Sequence, residues 1–388
     1  MNPWPPHVYR RQGLAKGVSP SLLDTALVQA HSLQNKNYPA ILTLNHLAER
    51  TEVSFEYLRD VVSRRIDAYR VFNLRKQSTG YREICIPAAP LLWVQQWIHS
   101  NILVRTKQHP ASFAYAPGSS TRDCARIHCG ARWMLKLDIQ SFFESISEIQ
   151  VYNVFRSIGY GPLVSFELSR LCTRRSSSGL ERYKARNWRS HGHGRYIGKG
   201  RYSINTYRRV LMGHLPQGAP TSPILSNLAV VDLDEKLSRL AAREGMSYSR
   251  YSDDLVFSTA RSDFSRKIAA SIIGEVYREF SRRGFDPNRN KAVVSPPGAR
   301  KIVLGLVVDG DSPRLPKEFK ERLRQHLYYL NKYGVANHAQ KQGFKSLFSM
   351  KRHLEGLAFY ALHIEKSFGE EVLNRLATID WPPLASSS

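Results

Sequence analysis

Acidic residues are scarce in this sequence: 32 Asp and Glu stand against 57 Lys and Arg, giving a formal charge of +25 and a pI near 10.1. Such a chain repels itself unless a polyanion accompanies it, so nucleic acid is the expected partner. A solvated face is the ordinary reading of any one basic run, and the weaker reading of the total. Long apolar spans are missing, as is a basic amphipathic anchor, so no membrane association is expected. Cysteines number four, Cys85, Cys124, Cys129 and Cys172. None forms a C-x-x-C pair, and the spacing from Cys124 to Cys129 lacks a second ligand pair downstream, which disfavours zinc. The start, Met1-Asn2-Pro3-Trp4-Pro5-Pro6, has no apolar stretch after a positive segment. No secretory signal is expected, and a reducing cytoplasm is the default location. With 42% hydrophobic residues over 388 positions, the chain suits two or three soluble domains.

Along the chain, residues 1 to about 40 are Pro-punctuated and partly helical at best, with helical spacing from Ser21 to Leu33. The stretch from Leu42 to Arg65 predicts two short helices about a turn, with Ser54 as an N-cap. A DNA-reading helix-turn-helix and a pair packing on the next domain both fit; no base-reading helix is evident, which favours packing. Val71 to Pro87 predicts a hairpin turning at Gly80, with Lys76 and Arg82 beside the turn. A helix follows from Leu91 to Val104, then a strand at Met134 to Asp138 and a helical start at Ser141-Phe142-Phe143. Arg174 to His214 differs in kind: eleven Lys or Arg, one acid (Glu181), six Gly and four Tyr, with little periodicity. It reads as an inserted basic loop. Beyond it the pattern predicts a helix over Pro223 to Leu240, a hairpin over Tyr248 to Ser258, a helix over Phe264 to Arg283 and a strand over Ile302 to Val308. Helices rich in Lys, Arg and His run from Pro316 to Leu376. The fold class is α/β or α+β, with helical additions at both ends.

Tyr251-Ser252-Asp253-Asp254 lies between two β-patterned runs, which puts two acids at a hairpin tip. Adjacent aspartates in a turn usually mean turn chemistry alone. Asp138 changes the weight, because it too ends a strand, in Leu137-Asp138-Ile139. Were neighbouring strands to bring these acids within about 4 Å, each like-charge pair would cost on the order of 4 kcal/mol at an effective dielectric near 20. Such a cluster needs cations, and oxygen-only ligation favours Mg²⁺ over zinc. Two Mg²⁺ would activate a 3′-hydroxyl and stabilise a departing pyrophosphate. Between the two acid sites runs Leu215-Pro216-Gln217-Gly218-Ala219-Pro220-Thr221-Ser222-Pro223, ending at Asn227. Gly218 allows close backbone approach to a ligand, Gln217 offers an amide to a sugar or base, and Pro223 opens a helix. A Pro and Gly stretch before a helix is also, ordinarily, a loop.

In this order the motifs resemble reverse transcriptases, specifically the retron and group II intron branch. Leu215-Pro216-Gln217-Gly218 with Ser222-Pro223 and Asn227 matches its nucleotide-pocket motif. Tyr251-Ser252-Asp253-Asp254 matches the polymerase box, with Ser252 where retrons more often carry Ala. Leu137 to Phe143 matches the first aspartate motif. The family's Asn-Ala-x-x-His signature appears as Cys124-Ala125-Arg126-Ile127-His128, and its Val-Thr-Gly signature as Val303-Leu304-Gly305. The resemblance runs from about Phe72 to Ile364. It implies a right-hand polymerase with fingers, a ferredoxin-like palm and a helical thumb. The expected division is a helical extension at 1–69, fingers with part of the palm at 70–137, palm at 138–312 with the basic insertion 174–214, and thumb at 313–388.

The resemblance further implies that Asp138, Ile139, Asp253 and Asp254 hold two Mg²⁺, with Mn²⁺ as a substitute. Lys76 and Arg82 would grip the triphosphate of an incoming dNTP, on a mobile hairpin that suits a tetra-anionic substrate. Phe143 would be the ring that clashes with a 2′-hydroxyl, and Gln217 and Gly218 would shape the same pocket. Lys291, in Asn290-Lys291, matches the lysine thought to protonate pyrophosphate; a surface lysine is the other reading. His128 is either an RNA contact or a satisfied structural histidine. Arg195, Lys199, Arg201, Arg208 and Arg209 in the inserted loop would meet RNA phosphates, with its Tyr residues and Trp188 stacking on bases; a solubilising disordered loop is the alternative. The implied partners are a cognate structured non-coding RNA, its cDNA, dNTPs and a separate effector protein. The implied activity is RNA-directed DNA synthesis primed from an RNA 2′-hydroxyl, in antiviral defence. Two alternatives differ in class: a scaffold of RNA and DNA that restrains a toxic effector, and a template-independent polymerase of the abortive-infection type.

Overall fold

A computed structural model describes residues 6–75, 80–175 and 212–382. The N-terminal segment is more helical than its prolines suggest, with helices Pro6–Ala15 and Pro20–Asn35. Pro20 sits in the first turn, where its missing N–H is not needed. The next pair, Leu44–Thr51 and Phe55–Val62, starts at caps: His46 N donates to Thr43 Oγ1 and Tyr57 N to Ser54 Oγ. Leu47, Ala48, Leu58 and Val61 share one core with Val94 and Ile98 of helix Ala89–Asn101, so this pair packs rather than standing free.

Strands β1 (Tyr69–Arg75) and β2 (Tyr81–Pro87) form the expected hairpin, with Leu74 opposite Arg82 and Gly80 at φ 100°. The central sheet uses β3 (Trp133–Asp138), and after it come β4 (Arg174–Arg175) and β5 (Gly213–His214), a small pair that brackets the basic insertion. Residues 176–211 between them lie outside the described residues. The sheet continues with β6 (Ser247–Tyr251), β7 (Asp254–Thr259) and β8 (Val293–Ser295), the last not anticipated from its three residues. Its spatial order is β6-β7-β3-β8, antiparallel throughout. With helices between β3 and β6 and helix Arg266–Arg282 between β7 and β8, this is a βαββαβ, ferredoxin-like arrangement.

Alternation along the strands gives the sheet two faces. Leu135, Leu137, Tyr248, Leu255 and Phe257 pack into the main core with the helices. Met134 and Val256 face the other way, into a second core shared with the C-terminal helices. Two expectations are corrected. The helix expected over 223–240 breaks at Val230 into Ser222–Ala229 and Val231–Arg243. The strand expected over 302–308 folds back on itself as β9 (Ile302–Val303) and β10 (Leu306–Val307), because Leu304 and Gly305 both take positive φ, 49° and 81°. The C-terminal helices are Lys317–Lys341, kinked at Gly334, then Leu347–Ile364 and Lys366–Ala377. Among the described residues no helix is long and apolar enough to cross a membrane.

Candidate active site

The register of the sheet brings the distant acids together. Asp138, the last residue of β3, is the direct cross-strand partner of Asp254, the first residue of β7, and Asp253 occupies the turn before it. Main-chain bonds fix this junction: Ile139 N donates to Asp253 O at 3.0 Å, and Asn288 N to Asp138 O at 2.8 Å. Asp138, Lys136 and Met134 share a face with Asp254 and Val256. The carboxylates lie at the end of that face beyond the part covered by the second core. Ser252, first residue of the turn, takes φ 59°, a left-handed conformation that costs a non-glycine residue about 1 kcal/mol or more.

Burial, and then repulsion from Asp253 and Asp138, pushes Asp254 up to about 6. Asp253 is raised by burial and by Asp138, against the opposing charges of Lys291 and Arg82. Lys291 Nζ donates to Asp138 Oδ2 at 2.7 Å, and this bond holds the lysine pKa above its ordinary value. The ammonium is therefore charged at neutral pH and has protons to give. Arg82, exposed on β2, is near enough for its charge to act on Asp253; Lys76 lies outside the described residues. The donors are all oxygen and carry excess negative charge, which suits a hard divalent cation. Among the described residues no three acidic, His or Cys side chains are already gathered as a metal cage. The set fits such a cation in kind, with Asp138 Oδ2 held by Lys291.

The Leu215 to Pro223 segment lies against the β1-β2 hairpin. Cys85 N of β2 donates to Gln217 O at 2.7 Å, and Ser222 Oγ to Pro216 O at 2.7 Å. Gly218 takes φ 112°, and a Cβ there would stand 3.0 Å from Ile84 Cγ2 and 3.1 Å from Cys85 O. The close approach that demands glycine is thus to the backbone of β2. Phe143 is half-buried, its ring 5.8 Å from Phe142 and 6.3 Å from Tyr115. Tyr115 Oη in turn donates to Ser252 Oγ at 3.3 Å, joining the ring cluster to the carboxylate turn.

His128 has no exposed surface, and its two ring nitrogens meet Ser258 Oγ and Ser249 Oγ, each at 2.7 Å. This corrects the expectation of an RNA contact in favour of the structural reading. Arg195, Lys199, Arg201, Arg208 and Arg209 lie outside the described residues. Two features carried no clear sequence signal: Tyr115, in an irregular segment, and Arg250, buried on β6 beneath the turn.

The family model for reverse transcriptase (RNA-dependent DNA polymerase) matches residues 74–302. The chain belongs to the reverse transcriptase family. Its curated relatives set it within the retron type. The retron Ec86 reverse transcriptase of Escherichia coli is 27% identical over 353 residues, 89% of this chain and 97% of its own. The retron Mx162 and Mx65 reverse transcriptases of Myxococcus xanthus are 29% and 28% identical over 76% and 80% of this chain. The match spans 60% and 65% of those two proteins, less than two thirds of each. The reverse transcriptase has a right-hand polymerase fold, and its activity is RNA-directed DNA polymerisation, in a family that uses divalent metal ions.

Proposed function

We propose that this reverse transcriptase copies part of a structured non-coding RNA into single-stranded DNA, starting from a 2′-hydroxyl of that RNA, in an antiviral setting with a separate effector protein. The observation that carries the polymerase site is the cross-strand pairing of Asp138 with Asp254, with Asp253 in the adjoining turn. Asp138, Asp253, Asp254 and the main-chain carbonyl of Ile139 would hold two Mg²⁺, or Mn²⁺ in their place. When bound, such ions activate the attacking hydroxyl and stabilise the leaving pyrophosphate. Lys76, and Arg82 on β2, grip the triphosphate, and Gln217 and Gly218 form the floor of the pocket. Phe143, backed by Phe142 and Tyr115, excludes a 2′-hydroxyl. Lys291, poised on Asp138, gives a proton to pyrophosphate. In this reading residues 1–69 are an extension, 70–137 fingers with part of the palm, 138–312 palm and 313–388 thumb, with the 174–214 insertion adding RNA contacts.

Sequencing the nucleic acid that co-purifies with the protein tests the proposal. The expected product is single-stranded DNA joined to an RNA through a 2′,5′ branch, removable by debranching. Linear DNA carrying no RNA junction, or DNA unrelated to any bound RNA, refutes the priming mode.

A further inference from the structure

Arg250 is the largest fully enclosed side chain among the described residues. It stands just before the carboxylate turn, on the helix-facing side of β6 opposite Leu255. Its Nε and Nη2 donate to Asp234 Oδ1 and Oδ2 at 2.8 and 2.6 Å, and Nη2 also reaches Ser112 Oγ at 3.0 Å. Nη1 serves two acceptors, Asn227 Oδ1 and the main-chain carbonyl of Ser252, each at 3.0 Å. Asn227 is itself fixed, its Nδ2 donating to Gln108 Oε1 and Ala114 O at 2.6 Å.

Neutralising Asp234 requires only a cation. Reaching from Asp234 to Asn227 and Ser252 at once requires a planar fork of donors, which lysine lacks. The residue so held, Ser252, has the left-handed φ that L side chains rarely adopt, and it directly precedes Asp253. Asn227 belongs to the helix that begins at the nucleotide loop, and that loop is bonded to β2 through Gln217. A path of hydrogen bonds and the 217–227 main chain therefore runs from the hairpin to the carboxylate turn.

We propose that Arg250 is a positioning residue for polymerisation: it holds the Ser252-Asp253 turn in the geometry that presents Asp253 and Asp254 to a divalent cation, and keys that turn to the nucleotide loop through Asn227. The inference deepens the reading above and rests on its assignment of Asp253 and Asp254 to the cation.

The test is a Mn²⁺ titration of the purified full chain, followed by electron paramagnetic resonance, alongside thermal unfolding and primer extension. Arg250→Lys keeps the buried charge for Asp234 and should raise the Mn²⁺ midpoint about tenfold or more, with kcat falling about 10- to 100-fold, the range for residues supporting metal ligands. Tyr248→Phe removes the hydroxyl that donates to Asp234 Oδ1 and also borders Arg250, and leaves the Arg250 bonds to Asn227 and the Ser252 carbonyl in place. It should lower Tm and leave the Mn²⁺ midpoint unchanged. A lowered Tm in Arg250→Lys with an unmoved midpoint overturns the proposal, since a purely structural ion pair behaves that way. Should Arg250→Lys fail to fold, Asn227→Ala carries the test: it leaves Nη1 the Ser252 carbonyl alone, and must still raise the midpoint severalfold. Asp253→Ala with Asp254→Ala separates the two readings. If that double variant binds Mn²⁺ like the parent, the cation assignment fails; if it loses Mn²⁺ while Arg250→Lys does not, only the role of Arg250 fails.

Discussion

The two faces of the palm sheet treat charge in opposite ways. On the helix-facing side, Arg250 and Asp234 are wholly buried and form a bidentate pair, whose remaining bonds go to Asn227, Ser252 O and Ser112 and come from Tyr248. A second buried cluster behaves alike: Glu148 accepts from Arg64 at 2.7 Å, from Arg170 at 2.5 Å and from Gly213 N at 2.9 Å. On the open face, Asp138, Asp253 and Asp254 crowd together with one close lysine, and burial plus mutual repulsion drives Asp254 up to about 6. Charge that holds the fold is neutralised where it stands. Charge only partly compensated at a sheet end, three acids to one close lysine, marks a place where a cationic ligand is wanted.

The sharpest way to break this contrast is to remove the clustered acids. Asp138→Ala, or Asp253→Ala with Asp254→Ala, should cut DNA synthesis at least about 10³-fold, roughly 4 kcal/mol of barrier. RNA affinity in a filter-binding assay should stay within about twofold. Tm of the Asp253→Ala with Asp254→Ala variant should not fall, because a repulsion has been removed, whereas Asp138→Ala also loses the ion pair with Lys291. Persistent synthesis by the purified double variant would refute the assignment.

The same deletion on the neutralised side has the opposite outcome. Glu148→Ala leaves Arg64 and Arg170 buried without their shared carboxylate, at an expected loss of about 3–5 kcal/mol in urea denaturation. Glu148→Gln, which keeps the shape and one acceptor, should lose less. A loss under about 1 kcal/mol for the alanine variant would show that water or neighbouring groups replace Glu148, and would weaken the contrast.

How far this division was legible in the sequence depends on the range of each interaction. Asp138, Asp253 and Asp254 could be named because each sits at a strand end whose alternation is local, and because their motifs have fixed spacing. Their convergence was an expectation that only the register could fulfil. Ile302 to Val308 misled, since an apolar run does not reveal the two positive φ angles that fold it back. Arg250 was silent because its partners, Ser112, Asn227 and Asp234, lie up to 138 positions away. Nothing in a β-patterned run tells a buried Arg from an exposed one. For His128 the alternatives stayed open until both nitrogens were seen bonded to Ser249 and Ser258.

A smaller effect probes the pocket beside the acids. Phe143→Ala should let ribonucleotides in, shifting the dNTP to rNTP ratio of kcat/KM about 10- to 100-fold, the scale of a steric contact in a pocket. Deoxynucleotide incorporation itself should change little. An unaltered ratio would place the selecting ring elsewhere, with Tyr115 the next to test because its ring lies 6.3 Å away.

The smallest predicted effect sets two groups on the carboxylate-bearing face of the sheet, His128 and Asp254, against each other through pH. His128 is enclosed and neutral, and burial lowers its pKa to about 4 from an unfolded value near 6.5. Between these pH values the unfolded chain binds the extra proton, so stability is full above about 6.5 and is lost as pH falls toward 4, by up to about 3 kcal/mol. Asp254 acts with the opposite sign, because its pKa is raised to about 6 from the ordinary carboxylate value near 3.8. There the folded state binds the extra proton, and acidification through that window relieves repulsion and stabilises. Urea denaturation of the metal-free protein at several pH values between 7 and 4 should therefore show a shallow net slope. His128→Gln should flatten the acid loss and Asp254→Asn should steepen it. A steeper loss in His128→Gln would mean that the histidine is protonated in the fold, which its two serine partners do not require.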